Sequence, residues 1–430
     1  MRRLILITLG LFGGALAAPL TLEDAWHMST PATKTADLQW KAAELAHQKA
    51  LSATGPAFQF STNLNVSGNF SPPTDSTSGS VTGKASWDVT PWSSSALNLR
   101  SAERALLEAQ LDRQTQKSEA FLQVTETYLQ VEDARSQLEL ARLQLEVQTL
   151  KVQSTEQKRQ LGQATQDALD RARLELLNAE NTLKSRQNTV QSALQSLSLL
   201  LGMQVQEGET TDPALTLPAF SNLDVLLKKA ERHPTVQKAR LVLQERQEVV
   251  QAQQLTAALP DLTVNGKLGN LPGGWTFSSD FSLKTGKWGA SANYPLGSSG
   301  QNSFGYAVGL QLNLPLDAQQ PYTLQSLINQ QELQEWAVQK ALNTALQNIT
   351  SQYHLYLEQV QQLEQRTLQL RQAGNQLEVQ EKRLSLGLIT KQDLLEAELA
   401  FKTAQENLKQ THRNAYLQAL RLRIATGEPL

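Results

Sequence analysis

Two stretches of this chain repeat one phrase. Residues 158–176 read KRQLGQATQDALDRARLEL and residues 383–401 read RLSLGLITKQDLLEAELAF, 225 positions apart. Each carries Leu-Gly, then Thr, then Leu, Ala and Leu in register. At the same offset Tyr128 meets Tyr353, Leu183 meets Leu408 and Gly202 meets Gly427. Upstream the spacing loosens to 203 for Pro31 and Pro234, and to 204 for Pro56 and Pro260. Chance likeness between two Gln/Leu-rich helices does not reproduce glycine, tyrosine and proline landmarks in one order. The chain therefore reads as a duplication, with a first repeat at 18–203 and a second at 223–430. The join falls at 204–222, where Pro213 and Pro218 sit among polar residues.

Within each repeat the hydrophobic period changes in the same order. Short helices come first, with Thr30-Pro31 and His233-Pro234 placing proline in a first helical turn. They end at Pro56 and Pro260. Alternation follows. Phe58, Phe60, Leu64, Val66 and Phe70 share one face, and Gln59, Ser61, Asn63, Asn65 and Asn69 the other. Val81, Ala85, Trp87 and Val89 likewise oppose Thr82, Lys84, Ser86, Asp88 and Thr90. Period two with one apolar face predicts strands, here a hairpin over 57–91 joined by a loop at Pro72–Ser80. The second repeat predicts a hairpin over 261–316. Leu262, Val264 and Leu268 lie in one strand, and the alternation from Tyr306 to Leu316 makes the other. Its insertion at 269–304 is rich in Gly and Ser and is expected to be a surface loop. An extra strand pair is the alternative, because Trp275, Phe277 and Phe281 alternate, as do Trp288, Ala290, Ala292 and Tyr294.

Long helices close each repeat, over 97–201 and 320–426. Leu169, Ala172, Leu176, Ala179 and Leu183 alternate spacings of three and four, as do Ile349, Tyr353, Tyr356, Val360 and Leu363. That is the narrow seam of coiled-coil packing. Its Ala positions, with Thr367 and Gly374 further along the second seam, let neighbouring helices approach closely. Sixty helical residues would run roughly 90 Å at ~1.5 Å each, longer than an ordinary globular domain holds. Leu161-Gly162 and Leu386-Gly387 then turn the chain, and Thr165 and Thr390 stand where they can cap the returning helices. Each repeated phrase is thus the tip of a very long helical hairpin, near 162 and near 387.

The N-terminus reads as a signal peptide over 1–17. Arg2 and Arg3 precede an apolar run from Leu4 to Phe12, and Ala15-Leu16-Ala17 offers a small-residue cleavage site. The run falls short of the about 20 residues that span a bilayer. An exported chain whose strands alternate in this way can be a soluble sandwich or a membrane barrel. Strands of about ten residues span a bilayer when tilted, and Phe58, Phe60, Trp87, Trp92 and Tyr306 suit interfacial girdles. In lipid every strand edge must be paired, so the sheet must close. Four strands per chain cannot close where the smallest membrane barrels need about eight, so chains would have to share one barrel.

The order of signal, short helices, strand hairpin and coiled-coil hairpin, given twice, resembles the TolC-like outer membrane efflux proteins. The tip pattern R-x-x-x-G-x-x-T-x-x-D-L-L-x-A stands at Arg383, Gly387, Thr390, Asp393, Leu394, Leu395 and Ala397. It recurs more weakly at Lys158, Gly162, Thr165 and Leu169, with Asp167 shifted by one place. The resemblance covers the mature chain. It implies a mainly α fold with a small β part: long helical hairpins forming an α-barrel, and four strands per chain, six if the insertion pairs, in a shared trimeric β-barrel. It also implies a homotrimer in outer membrane lipid, a large periplasmic portion, and a periplasmic adaptor with an inner-membrane pump as partners. Three subunits of four strands would make about twelve strands. The absence of cysteine departs from the lipid-anchored members.

Two groups of residues are candidate sites. Leu161, Gly162 and Thr165, with Arg383, Leu386, Gly387, Leu388, Ile389 and Thr390, form the adaptor-docking tips. Turn chemistry explains part of each tip, but the apolar pair Leu388-Ile389 at an exposed turn suggests a covered surface. Glu378 and Glu381, just before the second tip, are candidates for a charge ring at the pore entrance, since carboxylate rings select cations. A solvated helix face is the bland alternative. No nucleic-acid partner is expected at a net charge of −2. Neither metal, cofactor nor catalysis is expected. His27, His47, His233, His354 and His412 are scattered without ligand spacing, and the Gly-rich segments do not lie in strand-to-helix turns. The functional expectation is a passive exit duct for efflux or type I secretion. Its rivals are a coiled-coil envelope spacer and a soluble periplasmic adaptor without a conducting pore.

Overall fold

A computed structural model describes residues 20–28, 30–70, 73–271, 274–296, 303–313 and 320–429. The expected signal peptide, Leu314 and Leu316 of the last predicted strand, and the side chains of Val66 and Phe70 lie outside the described parts. The elements run α1 (Leu22–Met28), α2 (Thr30–Ser52), β1 (Ala57–Phe70), β2 (Pro73–Asp88), α3 (Ser94–Gln160), α4 (Gln166–Leu201), α5 (Leu223–Leu227), α6 (Pro234–Ala258), β3 (Asp261–Leu271), β4 (Thr276–Ser282), β5 (Lys287–Leu296), β6 (Ser303–Asn313), α7 (Gln320–Ser385) and α8 (Lys391–Ala425). Among the described residues no helix is long and apolar enough to cross a membrane.

The chain divides into two compact units. The first holds the residues up to Thr35, Gln114–His233, and those from Ala345 on. Its core is the seam between α3 and α4. Val124, Tyr128, Val131 and Leu138 meet Val190, Leu194, Leu197 and Leu201, joined by Leu20, Ala25 and Val205. Burying each large side chain contributes ~1.5–3 kcal/mol. The three-and-four spacing is what aims these residues inward, so Leu169, Ala172 and Ala179 continue the buried stripe. Small residues thin the seam on α8 as well, where Ala415 and Ala419 are fully buried.

The second unit holds Ala36–Arg113 and Pro234–Thr344. Its helices are tied by charge. Arg113 bonds Asp37 at 2.5 Å and lies over the Trp40 ring, and Arg104 meets Glu248 at 2.5 Å. Its strands form one antiparallel sheet in the order β1-β2-β5-β4-β3-β6.

The sheet departs from expectation in two places. Pro72–Ser80 is not a loop: β2 starts at Pro73 and pairs with β1 almost to the tip, from Phe70↔Pro73 to Ala57↔Ser86. The insertion 269–304 is not a surface loop but holds β4 and β5, bonded to each other and to their neighbours β3 and β2. Ladder pairing on both sides overrides the weak intrinsic strand preference of its Gly and Ser.

Candidate functional site

Both helical tips are built alike at their first half. At the first, the Gly162 N–H donates to Arg159 O at 2.9 Å and the Gln163 N–H to Lys158 O at 2.7 Å. At the second, Gly387 donates to Leu384 O and Leu388 to Arg383 O, both at 2.9 Å. This paired closure needs a left-handed residue, and Gly162 and Gly387 have φ of 74° and 70°. A Cβ on either would meet nothing, so glycine is required by the backbone angle and not by space.

The second halves differ. Thr165 caps α4 through one bond, accepting from the Ala168 N–H at 3.2 Å. Thr390 caps α8 with a complete box. Its hydroxyl accepts from the Asp393 N–H at 3.3 Å, and the Asp393 carboxylate accepts from the Thr390 N–H at 2.8 Å and from its hydroxyl at 2.7 Å. Those bonds hold the Asp393 carboxyl below its ordinary value, with Lys158 adding a smaller push. Ala168 stands where the second tip has Asp393. The neighbouring Asp167 pairs with Arg171 instead, at 2.8 Å.

Leu161, Leu386 and Leu388 are about seven-tenths exposed, Ile389 is half-buried, and the side chain of Arg383 is open to solvent. The tips thus present apolar side chains on rigid turns. Glu378 bonds Lys382 at 2.6 Å one helical turn on, which holds its carboxyl down and offsets its charge. Glu381 is exposed.

The sheet supplies a second surface. Its register carries one row from Phe60 through Gly83, Ala292, Phe277 and Leu268 to Tyr306. The adjacent row runs from Gln59 through Lys84, Ser291, Ser278 and Lys267 to Ala307. Alternation therefore holds in phase across all six strands. Phe60, Tyr306, Val308 and Leu310 on the apolar face are 70–82% exposed. On the polar face Ser278 meets Ser291 at 2.7 Å, and Thr82 donates to Asn293 at 2.9 Å.

A third cluster was not foreseen. The Tyr128 hydroxyl lies 2.8 Å from Leu20 O and 2.7 Å from Thr211 O, and accepts from the Thr211 N–H at 3.0 Å. In the second repeat the comparable tether is not Tyr353 but Tyr356. It donates to Pro218 O at 3.0 Å and meets Phe220 edge-on at 5.0 Å. Buried Arg413 reaches both Asp133 and Asp212. Residues 204–222 are therefore sewn to α3, α7 and α8. The duplication pointed to the first tyrosine, but nothing in the spacing marked the three-residue drift of its counterpart.

Residues 29–203 match the family described as outer membrane efflux protein. The whole chain has the fold of solved outer membrane channels. VceC of Vibrio cholerae superposes with a TM-score of 0.67 at 18% identity, covering 95% of this chain and 96% of VceC. The open-state MtrE channel of Neisseria gonorrhoeae gives 0.68 at 17% identity, over 95% and 89%. The CmeC channel of Campylobacter jejuni gives 0.68 at 14%, over 94% and 85%. No curated protein sequence matches significantly. The fold of those channels thus covers both repeats, at identities that carry no residue roles across.

Proposed function

We propose that this chain is the exit channel of a tripartite efflux or type I secretion system, passing substrates across the periplasm and outer membrane. One observation carries the reading. The sheet bares an apolar face yet ends in two edge strands, β1 and β6, whose outer edges meet no partner strand among the described residues. In lipid such edges must be paired, so the sheet is completed by other copies of the chain. The family and the structural neighbours, which are outer membrane channels, support a homotrimer.

In this reading the tips face an adaptor protein, itself attached to an inner-membrane pump. Leu161, Leu386, Leu388 and Ile389 supply apolar contacts, Gly162, Gly387, Thr165 and Thr390 hold the turns, and Arg383 flanks the second. Glu381 is the better candidate for an entrance ring, because Glu378 is already paired with Lys382.

The test is assembly and conduction together. Protein extracted from the outer membrane should run as a trimer and conduct ions in a planar bilayer. A monodisperse monomer that keeps its strand content would end the barrel argument. A trimer without conductance would favour a structural spacer.

A further inference from the structure

The hairpin β4–β5 enters the sheet at its middle, between β3 and β2, and not at an edge. Its ladder with β3 runs from Thr263↔Ser282 to Gly269↔Thr276, and that with β2 from Asp88↔Lys287 to Gly79↔Leu296. Its side chains keep both faces in phase. Trp288, Ala290, Ala292 and Phe277 continue the apolar face, while Ser278, Ser291 and Asn293 continue the polar one. Even the Trp288 indole is satisfied on the apolar side, donating to Ser279 Oγ at 3.1 Å. In lipid an unpaired indole N–H there would be costly.

The hairpin's turn is fitted to its surroundings. Leu283 donates to Leu262 O at 2.9 Å, Val89 donates to Gly286 O at 2.9 Å, and the Trp92 indole donates to Leu283 O at 3.2 Å. Gly286 has φ 64°, and a Cβ there would collide with Thr90. Neither the angle nor the space admits another residue. A hairpin fitted this way is a length of wall, not an ornament on it.

Two inserted strands also preserve direction. Along the row Ala85–Ala290–Ser279–Gly266, β2 and β3 remain mutually antiparallel with or without the pair between them. The insertion can therefore lengthen the wall without disturbing either parent hairpin.

We propose that six strands from each of three chains close an eighteen-stranded barrel, and that β4–β5 sets its bore. This rests on the trimeric-channel reading. With strands ~4.8 Å apart and tilted ~40°, the backbone diameter rises from about 24 Å for twelve strands to about 36 Å for eighteen. Side chains take ~5 Å from each wall, half the spacing of packed sheets. The open bore then grows from roughly 14 to roughly 26 Å, about threefold in area. The hairpin's own contribution to the lumen is hydroxyl and amide, with one charge of each sign at Asp280 and Lys287. A wide lining of this chemistry suits bulky hydrophilic solutes and selects weakly by charge.

The chain has no cysteine, so introduced ones report cleanly. In outer membranes, Ser291→Cys and Asn293→Cys should react with a membrane-impermeant maleimide, while Ala290→Cys and Ala292→Cys resist it. Equal labelling of all four would put the hairpin outside the wall and overturn the proposal. In planar bilayers, polyethylene glycols added on the strand side should show a cut-off radius about twofold larger for the full chain than for a chain lacking residues 276–296. An unchanged cut-off would overturn it. If the shortened chain does not assemble, the ring of the full trimer imaged in nanodiscs decides: about 36 Å supports the proposal and about 24 Å refutes it. A monomeric full chain would sink the channel reading itself. A trimer with equal labelling would sink only the enlarged bore.

Discussion

Tyr128→Phe isolates one hydroxyl. The ring is fully buried in the α3–α4 core and survives the change, so no cavity opens. What disappears is a group shared by Leu20 O, Thr211 O and the Thr211 N–H. The amide is left with Leu20 O at 3.4 Å, at the limit of a hydrogen bond. Leaving buried polar groups short of partners costs about 1–3 kcal/mol. At about 1.4 kcal/mol per decade, local opening should rise roughly 5- to 150-fold. Hydrogen exchange at Thr211 and across the Leu20–Glu209 contact reads this directly, without melting the assembly. Tyr356→Phe should be milder. It removes one bond to the half-buried Pro218 O, where water can substitute, for about 0.5–1.5 kcal/mol. Tyr353→Phe should leave 204–222 unchanged, although Tyr353 is the repeat partner of Tyr128. If Tyr353→Phe loosened the segment as much as Tyr128→Phe, the tether would follow the repeat and not the observed bonds, and the reasoning would fail.

Other predictions address the two surfaces. Leu310→Lys should weaken membrane assembly by ~2–4 kcal/mol near the midplane, while Gln311→Lys, one residue on and facing the lumen, should be tolerated. Equal heat stability of the two variants would contradict the register. Because the Asp393 carboxyl is held below its unfolded value of 3.8, its cap contributes fully above that pH and is lost as pH falls through the folded value. Exchange at the start of α8 should therefore accelerate in acid, whereas Thr390→Ala should show the faster exchange already at neutral pH, for ~1 kcal/mol. Gly387→Val costs about 1 kcal/mol or more of local strain, and Leu388→Asp removes an exposed apolar contact. Both should leave trimer yield and conductance nearly unchanged while lowering pump-dependent export and adaptor crosslinking. Export that survives both would move the docking surface to the helix flanks.

The sequence revealed most where chemistry is local. Glycine at a left-handed position and threonine at a cap are demands of single residues, so both tips could be placed to within a residue. Period-two faces were readable for the same reason, and Phe58, Phe60, Val81 and Leu310 share the expected side of the sheet. The insertion reads first as a loop, and its alternative, a strand pair, is what the structure holds, because these strands owe their form to neighbours. Ser278, Ser279 and Gly289 have little strand preference alone, and only ladders on both sides hold them extended. Tethers at Tyr128, Tyr356 and Arg413 join residues up to 280 positions apart and leave no periodic trace.

The unequal tips bear on how a partner keeps its bearings. Duplication and a threefold ring would leave six hairpin ends in near-sixfold disguise, a lock with twice as many keyholes as keys. A partner seating by shape alone could settle one step out. In such a ring Asp393 opposite Ala168, and Leu388 opposite Gln163, would remove that ambiguity: every second end would be clamped and greasy, and its neighbours looser and wetter. The alternation would act as a notch, telling any threefold partner which of two similar orientations to take.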